Sequence, residues 1–93
     1  MSSVLSKAFP AVVKEIRLHL SPTGTGSAGA RKFLETNYKT IKQNNPNLPF
    51  LVREAEKTPA RLIMRMERGA ERDVDINALE PRAIEKKIAE LLK

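Results

Sequence analysis

Six consecutive residues of this 93-residue chain have the spacing of a known chemistry. Gly24-Thr25-Gly26-Ser27-Ala28-Gly29 fits G-x-G-x-x-G, between a strand-like stretch, EIRLHL, and a helix-like one, ARKFLETNYKTIK. In that setting glycines let a backbone approach a pyrophosphate held at a helix N-terminus. Three features of the sequence argue against a dinucleotide site. Ser21, Pro22 and Thr23 separate the strand from the first glycine, where the fingerprint turns almost at once. The acid that should hold the ribose is met only by Glu54, 25 residues past Gly29, against the ~20 of the motif. The chain is also too short for two βαβαβ halves. What is left is a βα loop whose small residues permit positive φ and a close helix approach. A phosphate at that helix N-terminus would not imply a nucleotide enzyme.

The other reactive types are sparse. With no cysteine, disulfides, iron–sulfur ligation and thiol catalysis are excluded. His19 is the only histidine. General acid–base work needs a partner within hydrogen-bond reach, and a zinc site would need carboxylates almost entirely. His19 therefore reads as a surface residue of a strand. Glu54, Glu56, Glu67, Glu71, Asp73 and Asp75 cluster around one hairpin and its approach, each with a Lys or Arg nearby in sequence. That pattern is solvated ion pairing, not a catalytic pair. No catalytic, cofactor or metal residue is assigned.

The elements follow from periodicity. Residues 1–14 read as an arm in which Val4, Leu5, Phe9, Val12 and Val13 lie on the domain and Pro10 prevents a long helix. It lacks the apolar core of a secretory signal and reads as part of the mature chain. Residues 15–93 read as a single domain. Glu15–Leu20 alternates, with Ile16, Leu18 and Leu20 inward and Glu15, Arg17 and His19 outward. A helix is expected over 28–43, with Ser27 as its N-cap and Ala30, Phe33, Leu34, Tyr38 and Ile41 as its apolar stripe. Residues 49–53 suit a strand parallel to the first. Residues 61–67 suit another, Arg68–Glu71 a hairpin turn, 73–76 a fourth strand, and a last helix starts near Pro81. The class is α/β, in the order β-α-β-β-β-α. A four-stranded mixed sheet in the order 2-1-3-4 is preferred over 1-2-3-4, with both helices on its one apolar face.

The opposite face then holds Glu15, Arg17, His19, Arg61, Arg65 and Glu67. Four basic groups with two acids suit an acidic partner, as does the net charge of +6. No run of five basic residues exists, so that charge lies on folded surfaces. No apolar run approaches the ~20 residues of a membrane span.

A βαβ unit followed by a hairpin and a closing helix, with a proline before the hairpin, resembles the thioredoxin fold. The resemblance makes Pro59 the proline that this fold often holds cis. It also makes Ser21, Pro22, Gly24, Gly26 and Ser27 the remains of an active-site loop that has no C-x-x-C. A nearer likeness runs along the chain from Lys14. EIRLHL, the Gly/Ser loop, ARKFLETNY and NNPNLPFLVRE resemble the small thioredoxin-like accessory subunits of mitochondrial respiratory complex I, the NADH:ubiquinone oxidoreductase. Asn45–Glu54, N-P-x-L-P followed by three apolar residues and R-E, is the most specific part. That family includes mitochondrial ribosomal proteins. The resemblance implies a non-catalytic subunit on the matrix arm, peripheral to the inner membrane, contacting the large iron–sulfur subunit. Several members carry cysteines where this chain has Ser21 and Ala55, so a redox switch built on that pair cannot operate here. The alternative is an RNA-contacting ribosomal protein using the same arginines. Against base readout, Phe33, Tyr38 and Phe50 are expected in the core. In either case Arg17, His19, Arg61 and Arg65 are the expected partner-binding residues.

Overall fold

The alternation in EIRLHL gives a strand with one dry and one wet face, and that strand becomes the middle of the sheet. The computed structural model describes Leu5 and residues 7–92. The chain runs β1 (Val13–Leu20), α1 (Ala28–Asn44), β2 (Phe50–Glu54), β3 (Arg61–Met66), β4 (Glu71–Asp75) and α2 (Pro81–Leu91). The sheet order is β2-β1-β3-β4, with β2 parallel to β1 and the other pairings antiparallel. This is the mixed 2-1-3-4 arrangement the sequence predicts.

Register explains the core. Ile16 lies opposite Phe50 and Met64, and Leu18 opposite Val52 and Leu62. Ala30, Phe33 and Ile41 of α1 and Ile84 and Ile88 of α2 pack on this face, all buried. Each large side chain buried in this way contributes roughly 1.5–3 kcal/mol relative to exposure. Pro81 at the first turn of α2 gives up an N–H that has no helical partner there.

The N-terminal arm is part of this core. Leu5, Phe9 and Val13 are buried and Val12 packs against them; Val4 lies outside the described residues. Asn45, just past α1, fastens the arm. Its side-chain oxygen accepts the Phe9 N–H at 2.8 Å, and its amide donates to the Ile41 carbonyl at 2.9 Å. Asn44 likewise donates to the Leu5 carbonyl at 3.1 Å.

Four local expectations are corrected. β1 begins at Val13, and a register shift between Val13 and Glu15 lets Val13 turn inward although the two share parity. β4 begins at Glu71, because an edge strand facing water accepts charged residues that read as turn. Tyr38 is 40% exposed; it sits where α1 reaches the sheet edge and meets Phe50 edge-to-face, with ring centroids 5.4 Å apart. Finally, no peptide bond among the described residues is cis, so the Thr58–Pro59 bond is trans. The chain reverses instead at Lys57, with φ of 61°, and through the Thr58 N–H to Ala55 carbonyl bond. A trans bond is also the ordinary preference before proline.

Candidate docking face and the glycine-rich loop

Alternation sends the other half of each strand to the uncovered face, and register sets the rows. Glu15 lies beside Arg65 and then Glu71. Arg17 lies between Leu51 and Ile63, with Asp73 beyond. His19 lies between Arg53 and Arg61, with Asp75 beyond. All four expected docking residues, Arg17, His19, Arg61 and Arg65, therefore share one face. The face is not simply basic, however. Arg17, Arg53, Arg61 and Arg65 stand against Glu15, Glu71, Asp73 and Asp75, four charges of each sign. It is polarised, basic towards β2 and acidic along β4. Sequence reading left out Arg53 and the β4 acids, and it placed Glu67 in a strand when it lies in the turn.

The arginines are also held. Glu15 is nearly buried, and one of its carboxylate oxygens accepts from Arg17 Nε at 2.9 Å and from Arg65 Nε at 3.3 Å. Burial alone would raise the Glu15 pKa. The hydrogen bond from Arg65 and the charge of Arg17 outweigh it and hold the carboxyl below the usual carboxylate range. Arg61 pairs with Asp73 at 2.9 Å, both half-exposed. Three guanidinium groups are thus oriented on the open face, a chemistry suited to binding carboxylates.

The glycine-rich loop turns its polar groups inward. The Ser21 N–H donates to Ser27 Oγ at 2.9 Å, and Ser21 Oγ accepts from Gly24 N–H at 2.9 Å. Arg31 crosses the loop and donates to the Ser21 and Gly24 carbonyls at 2.8 and 2.9 Å. Ser27, expected as an N-cap, makes no capping bond, because its hydroxyl is spent on Ser21. None of the loop glycines has positive φ; Gly69, in the hairpin turn, does. Their smallness matters instead. A Cβ on Gly29 would fall 1.7 Å from the Leu79 carbonyl oxygen, and one on Gly26 2.5 Å from Asn77 Oδ1. The Ala78 N–H donates to the Gly26 carbonyl at 2.7 Å. The chain leading into α2 thus lies directly on the loop, where a cradled phosphate would need access.

Asn77, which sequence reading missed, also accepts the Ala60 N–H at 3.1 Å and so links the loop to the start of β3. The open hollow left here, about 340 Å³, is lined by Ser21, Gly24, Ser27, Lys57, Pro59 and Asn77; Pro22 is exposed nearby. The Ser21 and Ser27 hydroxyls of that lining are bonded within the loop, and it contains neither histidine nor carboxylate. Among the described residues no cluster of three His, Asp or Glu is arranged to hold a metal. No helix there is long and apolar enough to cross a membrane.

Residues 30–81 match the family described as the mitochondrial ribosomal protein L51 / S25 / CI-B8 domain. The NADH-ubiquinone oxidoreductase 10.5 kDa subunit of Neurospora crassa is 36% identical over 86 residues, 92% of each chain. The NADH dehydrogenase [ubiquinone] 1 alpha subcomplex subunit 2 of Arabidopsis thaliana is 37% identical over 81 residues, 87% of this chain and 84% of the relative. Its namesake in Mus musculus is 39% identical over 67 residues, 72% of this chain and 68% of the relative.

Proposed function

Since the chain belongs to the family of the mitochondrial ribosomal protein L51 / S25 / CI-B8 domain, we propose that it is a non-catalytic accessory subunit of mitochondrial NADH:ubiquinone oxidoreductase. It docks on the matrix arm, on the matrix side of the inner membrane, against the large iron–sulfur subunit. The observation that carries this reading is the likeness to three subunits of that enzyme, from a fungus, a plant and a mouse, over 72–92% of the chain. The polarised sheet face supports docking onto protein: its guanidinium groups match carboxylates and its β4 acids match cations. The inward-bonded loop suits a scaffold role in place of chemistry.

The test is to tag the full chain in mitochondria and identify what co-purifies. Subunits of the NADH dehydrogenase are expected; ribosomal proteins with ribosomal RNA would overturn the reading. The face is tested separately by His19→Glu with Arg61→Glu. Both positions are partly exposed, and the Arg61–Asp73 pair contributes little to folding. The variant keeps its melting temperature within a few degrees and loses incorporation by about tenfold or more, the scale of losing a buried charge contact. Unchanged incorporation would remove the face from the proposal.

A further inference from the structure

The two edges of the sheet differ. Along β4 the residues are Glu71, Arg72, Asp73, Val74 and Asp75, a charged row of the kind that discourages further pairing. Along β2 they are Phe50, Leu51, Val52, Arg53 and Glu54. Leu51 is 46% and Val52 39% exposed. With Tyr38, which touches Phe50, they are the large exposed hydrophobics among the described residues. All three therefore gather at one edge.

The backbone of that edge is also open. Ile16 N–H donates to the Pro49 carbonyl, and Ala55 N–H donates to the Leu20 carbonyl. Residues 49, 51, 53 and 55 thus turn their backbone groups towards β1, and alternation turns those of Phe50, Val52 and Glu54 outward. Among the described residues nothing bonds the N–H or C=O of these three. The sequence offers no proline inside the strand and no bulge to guard it.

Charge selects the occupant. Arg53 is exposed and forms no ion pair among the described residues. Beside Leu51, Arg17 shares its carboxylate with Arg65, leaving that trio one positive charge in excess. On the helix side, Lys42 projects over the start of β2, with its ammonium 2.7 Å from the Leu48 carbonyl. Glu54, at the far end, is the strand's own acid. A second copy paired through the same edge would bring its own Arg53 and Lys42 against these cations and is disfavoured by repulsion.

We infer that the β2 edge receives an extended, acidic and apolar segment of the partner protein, added as a fifth strand beyond β2. Its backbone pairs with Phe50, Val52 and Glu54. Its apolar side chains cover Leu51 and Val52, and a carboxylate reaches Arg53. This rests on the docking reading above and names the element through which docking occurs.

Val52→Pro is the discriminating change. It deletes an outward N–H while leaving the bonds to β1, the position in which an edge strand tolerates proline. The expected result is a folded full-length chain whose incorporation into the complex, read on native gels, falls at least tenfold. Should Val52→Pro fail to fold, Leu51→Asp with Val52→Asp gives the same loss without touching the backbone. Hydrogen exchange supplies a direct readout: the amides of Phe50, Val52 and Glu54 exchange freely in the isolated chain and are protected in the complex. Normal incorporation of the edge variants, or free exchange within the complex, would overturn strand addition alone. A purified chain that dimerises through this edge would overturn the choice of occupant. Absence of the unmodified chain from the complex would overturn the functional reading itself.

Discussion

Glu15 is the residue on which the open face is organised. Periodicity assigns Glu15, Arg17 and Arg65 to one face. That two guanidinium groups converge on a single carboxylate oxygen depends on pairing β1 with β3, 50 residues apart, which no local pattern encodes. The consequence is a pH dependence with a definite sign. The folded pKa of Glu15 lies below its ordinary value, near 4.3 for an unfolded glutamate, so the unfolded chain binds the proton more readily. The stabilisation is therefore full above the ordinary pKa, and it is lost as pH falls below that value and through the folded one. Glu15→Gln should be less stable than the parent at neutral pH, with the gap closing as both are acidified. Thermal unfolding of the two proteins from pH 7 to pH 3 checks this; a gap independent of pH would mean that the carboxylate's charge is not what holds the arginines.

Where elements meet, the glycine run acquires its meaning. Gly29 is in the first turn of α1, and an alanine there would ordinarily gain about 1 kcal/mol of helix propensity. Here the added methyl would meet the Leu79 carbonyl, backbone that cannot swing aside as a side chain does. The clash should win: Gly29→Ala lowers stability by roughly 1–3 kcal/mol, or about 4–8 °C in melting temperature for each kcal/mol in a domain of this size. Calorimetry decides, and a stabilised variant would show that the chain into α2 is free to move away. The elements themselves were largely legible. Alternation located β1 and β3, three-four spacing located α1 and α2, and one apolar face per strand forced both helices to one side. Contacts made across distance were not. Asn45 holding the arm, Asn77 joining the loop to β3, and the close approach at Gly29 all involve residues that look like ordinary loop composition. Of the candidate face, the four basic positions were legible. The β4 acids that balance them were less legible, because Glu71 resembles a turn and because Asp73 and Asp75 join the arginines only through the pairing of β4 with β3.

Over the whole molecule, the charge of +6 and the polarised face have to be reconciled. The sheet face sums to zero, so the excess lies elsewhere. α1 alone carries Arg31, Lys32, Lys39 and Lys42 against Glu35, and Lys7 and Lys14 lie in or near the arm. This distribution separates general attraction to polyanions from specific docking. RNA contact, if made, runs through the helix layer and involves phosphates alone, because Tyr38 is the aromatic with substantial exposure and a single ring makes a poor base platform. Such binding is weak and steep in salt. With about four phosphate contacts it falls roughly a hundredfold between 50 and 200 mM salt. Titrating ribosomal RNA fragments with the full chain at several salt concentrations measures the slope. Lys32→Gln with Lys39→Gln should flatten it, while His19→Glu with Arg61→Glu should not. The opposite assignment, tight and salt-resistant binding that the sheet-face variant abolishes, would make that face an RNA surface and move the chain to the ribosomal side of its family.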